Sequence, residues 1–348
     1  MNIPLLPIFI ASISTYLAIY LLRPFAISIN LVDKPNHRKP HKGSVPLIGG
    51  IAMYIGVVIG ILVSPYDLNQ YKYFLVAFFI IVIIGILDDH RNISVMLRLL
   101  FQVVVALIIA LAGGIHIESV GNLLGFNVIF LNEWSYFITV LAMLAGMNAV
   151  NMADGIHGLA GGNSLITLLA IIYLSIGSAS NSILLIVLLL CGVLPVFLIH
   201  NLCLGISENK RIFMGDAGSM FIGLVIVCLL VDLSQGEGRT FAPVTALWLF
   251  AVPLIEMTTA ILRRLISGRS PFKPDLDHAH HLLIRLGIRE KYTLLILLLT
   301  SLLMAAIGIL GEIYDVSEFV MFAGFFITVG IYVILYEMVL SKIQKNAQ

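Results

Sequence analysis

The sequence predicts an all-α integral membrane protein: about eleven transmembrane helices in one domain over residues 1–348, with the N-terminus outside and the C-terminus in the cytoplasm. Three observations predict it. Of 348 residues, 60% are hydrophobic and 11% charged, with mean hydropathy +1.05; soluble proteins carry roughly 25% charge. The apolar residues fall in runs close to the roughly 20 residues that a bilayer crossing requires. Once those runs are counted as crossings, all but two of the 20 basic residues lie on one side, the exceptions being Lys72 and Arg239. A miscounted span would scramble that partition. Together these facts exclude a soluble enzyme and a disordered chain. The net charge of only +1 excludes a nucleic-acid binder.

The spans follow in chain order. The first, 3–22, has no positive charge before it, Arg23 just after it and no A-x-A pattern, so it reads as an uncleaved helix starting outside. The second, 46–64, follows a loop rich in Lys, His and Pro. The third, 73–87, is short and closes on Asp88-Asp89. Then come 97–115 and 134–150, the latter running into N148-A-V-N-M-A-D-G-I-H-G. The run 160–178 opens after Gly158, and 182–202 follows. The eighth, 217–232, opens on the turn M214-G-D-A-G-S. The ninth, 240–261, precedes the longest polar connection, 263–292. The last two are 293–312 and 316–340. Cys191, Cys203 and Cys228 lie in apolar stretches with no CxxC spacing, so they carry no redox or disulfide signal.

Acids on the outer side sit in plain turns. Those on the basic, inner side sit among Gly, Asn and His at helix ends, so the chemistry is expected there, on loops around 33–50, 88–98, 148–163, 205–219 and 263–292. Asp88-Asp89 closes an apolar helix. Adjacent carboxylates there need a cation or a proton, or they are solvated stop signals. Asn148, Asn151 and Asp154, spaced by three, share one helical face. Their oxygens suit a hard cation such as Mg²⁺ or Mn²⁺, and Gly155 lets a ligand approach the backbone; the alternative is helix packing. Asp216 opens a helix, where free N–H groups favour an anion, or it is an ordinary N-cap. For His278, His280 and His281, beside Lys273 and Arg285, three readings compete: a zinc site, a solvated loop and a phosphate-binding cluster. The first loop, with Lys39 and Lys42, either anchors to anionic lipid or holds an anionic substrate. His200 and Glu256 read as pairs between helices. Acids, amides and a His-Arg-Lys cluster on one membrane face suit metal-assisted phosphoryl transfer between a soluble donor and a lipid acceptor.

At D88-D-H-R-N, N148-A-V-N-M-A-D-G-I-H-G-L, F213-M-G-D-A-G-S and H278-A-H-H, in that order, the chain resembles the polyprenyl-phosphate N-acetylhexosamine-1-phosphate transferase family. The resemblance covers essentially the whole chain. It implies Mg²⁺ (or Mn²⁺) held by Asp216 with Asn151, and Asp88 and Asp89 by the metal and acceptor phosphate, Asp88 being the proton acceptor. It implies nucleotide and sugar contacts at Asn148, Asp154, Gly155 and His157. It places His278, His280, His281, Lys39 and Lys42 at phosphates. His157 is a departure, since many relatives carry a second Asp there. The 270–287 loop is most similar to the branch that transfers N-acetylglucosamine-1-phosphate from UDP-GlcNAc to undecaprenyl phosphate, at the cytoplasmic face of a bacterial inner membrane. That branch starts O-antigen, common-antigen or teichoic-acid assembly. The runner-up is transfer of phospho-N-acetylmuramoyl-pentapeptide or another UDP-HexNAc; outside the enzyme class it is a secondary transporter. Membrane lipids are expected partners and nucleic acid is not; a homodimer stays open.

Overall fold

The computed structural model describes residues 5–34, 43–176, 181–271 and 277–346. The architecture is all-α and polytopic. The helices are α1 Leu5–Ser28, α2 Gly49–Leu62, α3 Lys72–Arg91, α4 Val95–Leu107, α5 Ser135–Ala153, α6 Leu159–Ser175, α7 Asn181–Asn201, α8 Gly215–Ser234, α9 Pro243–Leu249, α10 Ala251–Ile266, α11 Ala279–Arg285, α12 Glu290–Ile313 and α13 Glu318–Asn346. Each predicted span falls on one of these helices, and 240–261 falls on two. Among the described residues eight helices are long and apolar enough to cross a membrane, α4 only with its π-helical extension Ile108–Ala112, and nine if the bent pair α9–α10 counts as one; α2 and α6 are shorter.

The ninth segment breaks for a local reason. The two halves meet at 84°. Pro253, in the first turn of α10, has no N–H to offer the Leu249 carbonyl. That carbonyl instead accepts from Thr167 Oγ1 of α6, at 2.8 Å. A proline in the run was the visible signal; the partner that makes the break tolerable inside the bilayer was not.

α8 is the axle. Every residue in it is buried except Asp216 and Asp232, near its two ends. It packs against α2, α3 and α5. Lipid is as apolar as leucine, so such packing depends on close backbone approach at small residues. Gly85 of α3 shows it: a Cβ there would sit 2.2 Å from the Ala217 Cα. Gly85→Ala must therefore separate α3 from α8. A cost of about 1–3 kcal/mol is expected, read as a melting point several degrees lower in detergent. An unchanged melting point would show that the two helices part freely.

The only described strands, β1 Val32–Asp33 and β2 Val45–Pro46, pair antiparallel. Their chain continues beside the segment before α8. Phe213 N–H donates to the Pro46 carbonyl, and Gly49 N–H to the Phe213 carbonyl, both at 2.9 Å. Gly50 N–H reaches the Met214 carbonyl at 3.0 Å. The first loop and the turn carrying Asp216 are thereby locked together.

Candidate active site

Asp88 and Asp89 occupy the last turn of α3, which stops at Asn92 in the left-handed region (φ 49°). Ser94 then caps α4, its Oγ accepting from Leu97 N–H at 3.3 Å. The hairpin folds Arg98 back on the acid pair. Arg98 Nη1 donates to Asp88 Oδ2 at 2.9 Å, and the Asp88 side chain is 7% exposed. Asp89 points the other way. Its Oδ1 accepts from Asp216 N–H at 2.8 Å and its Oδ2 from Ala217 N–H at 3.3 Å. The anion at the start of α8 is thus the carboxylate of Asp89, which caps the helix from outside and suits its dipole.

Asp216 faces α5. Its Oδ1 accepts from Asn151 Nδ2 at 2.6 Å, and the same amide donates to Ser219 Oγ at 2.9 Å. The Asp88 and Asp216 carboxyl groups are close enough to interact electrostatically, and Asp89 lies in the field of both. Three carboxylates and the Arg98 guanidinium thus gather at the start of α8. Like charges roughly 4 Å apart repel by about 4 kcal/mol at an effective dielectric of 20. Such a cluster calls for further positive charge or a shared proton.

The other predicted residues divide by depth along α5. Asn148, one turn below Asn151, donates to Gln102 Oε1 of α4 at 2.9 Å and to the Leu144 carbonyl at 2.8 Å. Its amide hydrogens serve helix packing. Asp154 is the C-cap of α5. Gly155 follows, and a Cβ on it would lie 2.0 Å from His280 Nε2. The histidine loop therefore rests on the turn that ends α5. His280 is 3% exposed; burial, then the neighbouring His281 and His278, push its pKa down to about 2. It is neutral at physiological pH, a form in which an imidazole N–H can still donate to a phosphate. His281 lies beside it, ring centroids 4.2 Å apart, and His278 stacks parallel at 5.6 Å. His157 meets the loop before α8: Arg211 Nη1 is 3.1 Å from its Nε2, and its ring lies 5.2 Å from that of Phe213. Lys39 and Lys42 fall outside the described residues.

The last turn of α5 thus joins two clusters, with Asn151 touching the acids and Gly155 the histidines. Beside this geometry stand the relatives. The profile of glycosyl transferase family 4 matches residues 71–234. The undecaprenyl-phosphate alpha-N-acetylglucosaminyl 1-phosphate transferase of Haemophilus influenzae is 41% identical over 94% of this chain and 93% of its own. The enzymes of that name from Yersinia pestis and Escherichia coli K12 are each 36% identical, covering 90% and 91% of this chain and 86% and 87% of theirs. The chain belongs to glycosyl transferase family 4.

The family profile spans both aspartates of α3, Asn151 and Asp216, and stops at Ser234. The histidine loop lies beyond it. An alignment over 94% of the chain nevertheless has to include that loop, which is far from either end. Two contributors were not singled out from the sequence. Arg98 counted only as one basic residue among many; its signal was the position one turn inside α4, facing back across a tight hairpin. Asn201 is 4% exposed. It accepts from Gly158 N–H at 2.7 Å and donates to the Ile212 carbonyl at 3.0 Å, so it ties the end of the α5 turn to the loop before α8. An Asn at the end of an apolar run gave no hint of that.

Proposed function

We propose that this family 4 protein transfers N-acetylglucosamine-1-phosphate from UDP-N-acetylglucosamine to undecaprenyl phosphate, releasing UMP, as the first step of a cell-envelope glycan. An oxygen of the lipid phosphate attacks the sugar-bearing phosphorus of the donor. The bond from that phosphorus to the bridging oxygen breaks, and UMP leaves. The observation that carries the reading is the meeting of Asp88, Asp89 and Asp216 at one end of α8, one helical turn from the histidine loop. The names and near full-length identity of the relatives support the substrates.

Among the described residues no three acid, His or Cys side chains converge on a metal-ready point. Mg²⁺ does not require that, since it is commonly held by one or two carboxylates with water and substrate phosphates. Asp216 and the adjacent Asp88 fit such a donor set. The ion would offset charge on the diphosphate and its leaving group. Asn151, as placed, steadies Asp216 with its NH₂ group; a half-turn of the amide presents its carbonyl oxygen instead. Asp88, fixed by Arg98, meets the acceptor phosphate, and Asp154 with the histidine loop meets the donor. The excess of Lys and Arg in the 23–45, 205–216 and 263–292 connections supports eleven crossings, an outside N-terminus and a site at the cytoplasmic face of a bacterial inner membrane.

The test is turnover by purified protein across a panel of UDP-sugars. UMP is expected only when undecaprenyl phosphate is present, and UDP-N-acetylglucosamine is expected to lead UDP-glucose by at least ~10-fold. Release of UMP without lipid, or from none of the sugars, would overturn the assignment.

A further inference from the structure

Glu256 is a carboxylate in the middle of α10, within an apolar segment, with its side chain 11% exposed. A buried acid there is costly unless several groups serve it. Four contacts from two other parts of the chain do so. Tyr332 of α13 donates its hydroxyl to Oε1. Ala279 N–H, the first amide of α11, lies 3.3 Å from Oε1 and 3.4 Å from Oε2. His278 Nδ1 lies 3.3 Å from Oε2, its side chain 9% exposed. His278 flanks α11 with extended backbone and provides no side-chain cap of its own. Glu256 supplies that cap from another helix.

The consequence reaches beyond α10. His278 stacks parallel on His280, their ring planes 2° apart. His280 in turn presses on Gly155, at the turn that carries Asp154. A chain of contacts thus runs from α13, through Glu256 and His278, to the end of α5. We propose that Glu256 is a positioning residue for the donor. It fixes the histidine loop, through the start of α11, at the distance from the Asp154–Gly155 turn that a sugar diphosphate requires. This rests on the reading that the histidine loop holds the donor. It goes further than pairing two helices: removing Glu256 would loosen a loop outside the membrane and spare the acid cluster.

The experiment uses the full chain in detergent or nanodiscs, with two readouts. The first is amide hydrogen exchange across 277–289 without substrate. Glu256→Ala is expected to speed exchange there by about tenfold or more, while exchange in α8 stays unchanged. The second is steady-state kinetics. The KM for UDP-N-acetylglucosamine is expected to rise by about tenfold, and the KM for undecaprenyl phosphate to move by less than about twofold. Glu256→Gln keeps one acceptor oxygen and should recover part of the donor affinity. If Glu256→Ala fails to insert, Tyr332→Phe, which removes only one of the four contacts, should show the same pattern more weakly. Unchanged exchange over 277–289 would overturn the positioning role, as would equal rises in both KM values. A loosened loop with an unchanged donor KM also sinks the proposal. His281→Ala then separates the causes: if it too leaves the donor KM unchanged, the loop is not the donor site and the underlying reading fails with it.

Discussion

Replacing Asp216 by Asn is expected to reduce kcat by at least ~10³-fold in a protein that still inserts and remains monodisperse. The substitution keeps the side chain's shape. It also keeps the backbone N–H that Asp89 accepts from, so the cap on α8 survives. What it removes is one of the negative charges that, in the proposed mechanism, would hold a cation beside Asp88. It also turns the Asn151 contact, 2.6 Å from amide to carboxylate, into a contact between two neutral amides. The same chemistry predicts that EDTA stops turnover and that added Mg²⁺ or Mn²⁺ restores it. Retained turnover in Asp216→Asn would remove this residue from the metal role. Indifference to chelator would overturn the metal assignment altogether. Asp89→Asn provides the contrast. Its oxygens serve two backbone amides, so part of its loss should appear as lower thermal stability, which Asp216→Asn should not show.

Helix placement was legible because in a membrane chain a single variable, apolar run length, decides it. All eleven runs became helices for that reason. The bend at Phe250 escaped: its proline was visible, but not that Thr167 of a different helix donates to the Leu249 carbonyl that Pro253 leaves without an N–H. The site was legible by residue type but not by role. Asp88 and Asp89 look equivalent in sequence. One turns to Arg98 and the other to the start of α8, because successive residues on a helix point about 100° apart. Asn148 and Asn151 share a face, as their spacing requires, yet sit at different depths: one reaches the acids and the other the α4 seam. The number of histidines and their basic neighbours suggest a phosphate-binding cluster but leave the charge of each ring undecided. Burial decides for the neutral form at His280, whose ring packs against Gly155, a residue more than a hundred positions away. Local pattern reports which chemistry is present; long-range contacts decide which atom faces which.

That last contact carries the other large effect. Gly155→Ala adds a single methyl group whose carbon would sit 2.0 Å from His280 Nε2, well inside van der Waals contact. The ring cannot simply tilt away. It is 3% exposed, with His281 on one side and His278 stacked on the other. The histidine loop as a whole must move off the α5 turn, and kcat/KM for the donor is expected to fall by about 100-fold, since an ångström of misplacement costs that much. A glycine that merely lets the nucleotide approach its backbone would give a similar loss, so the single substitution does not discriminate. The double mutant does. His280→Ala removes the ring that supplies the three atoms nearest the added methyl. Gly155→Ala should then cost less than about threefold beyond His280→Ala alone. Losses that multiply instead would place the nucleotide, not the imidazole, against Gly155. The same cycle should read alike at pH 6 and pH 8, because His280, with its pKa pushed down to about 2, is neutral at both.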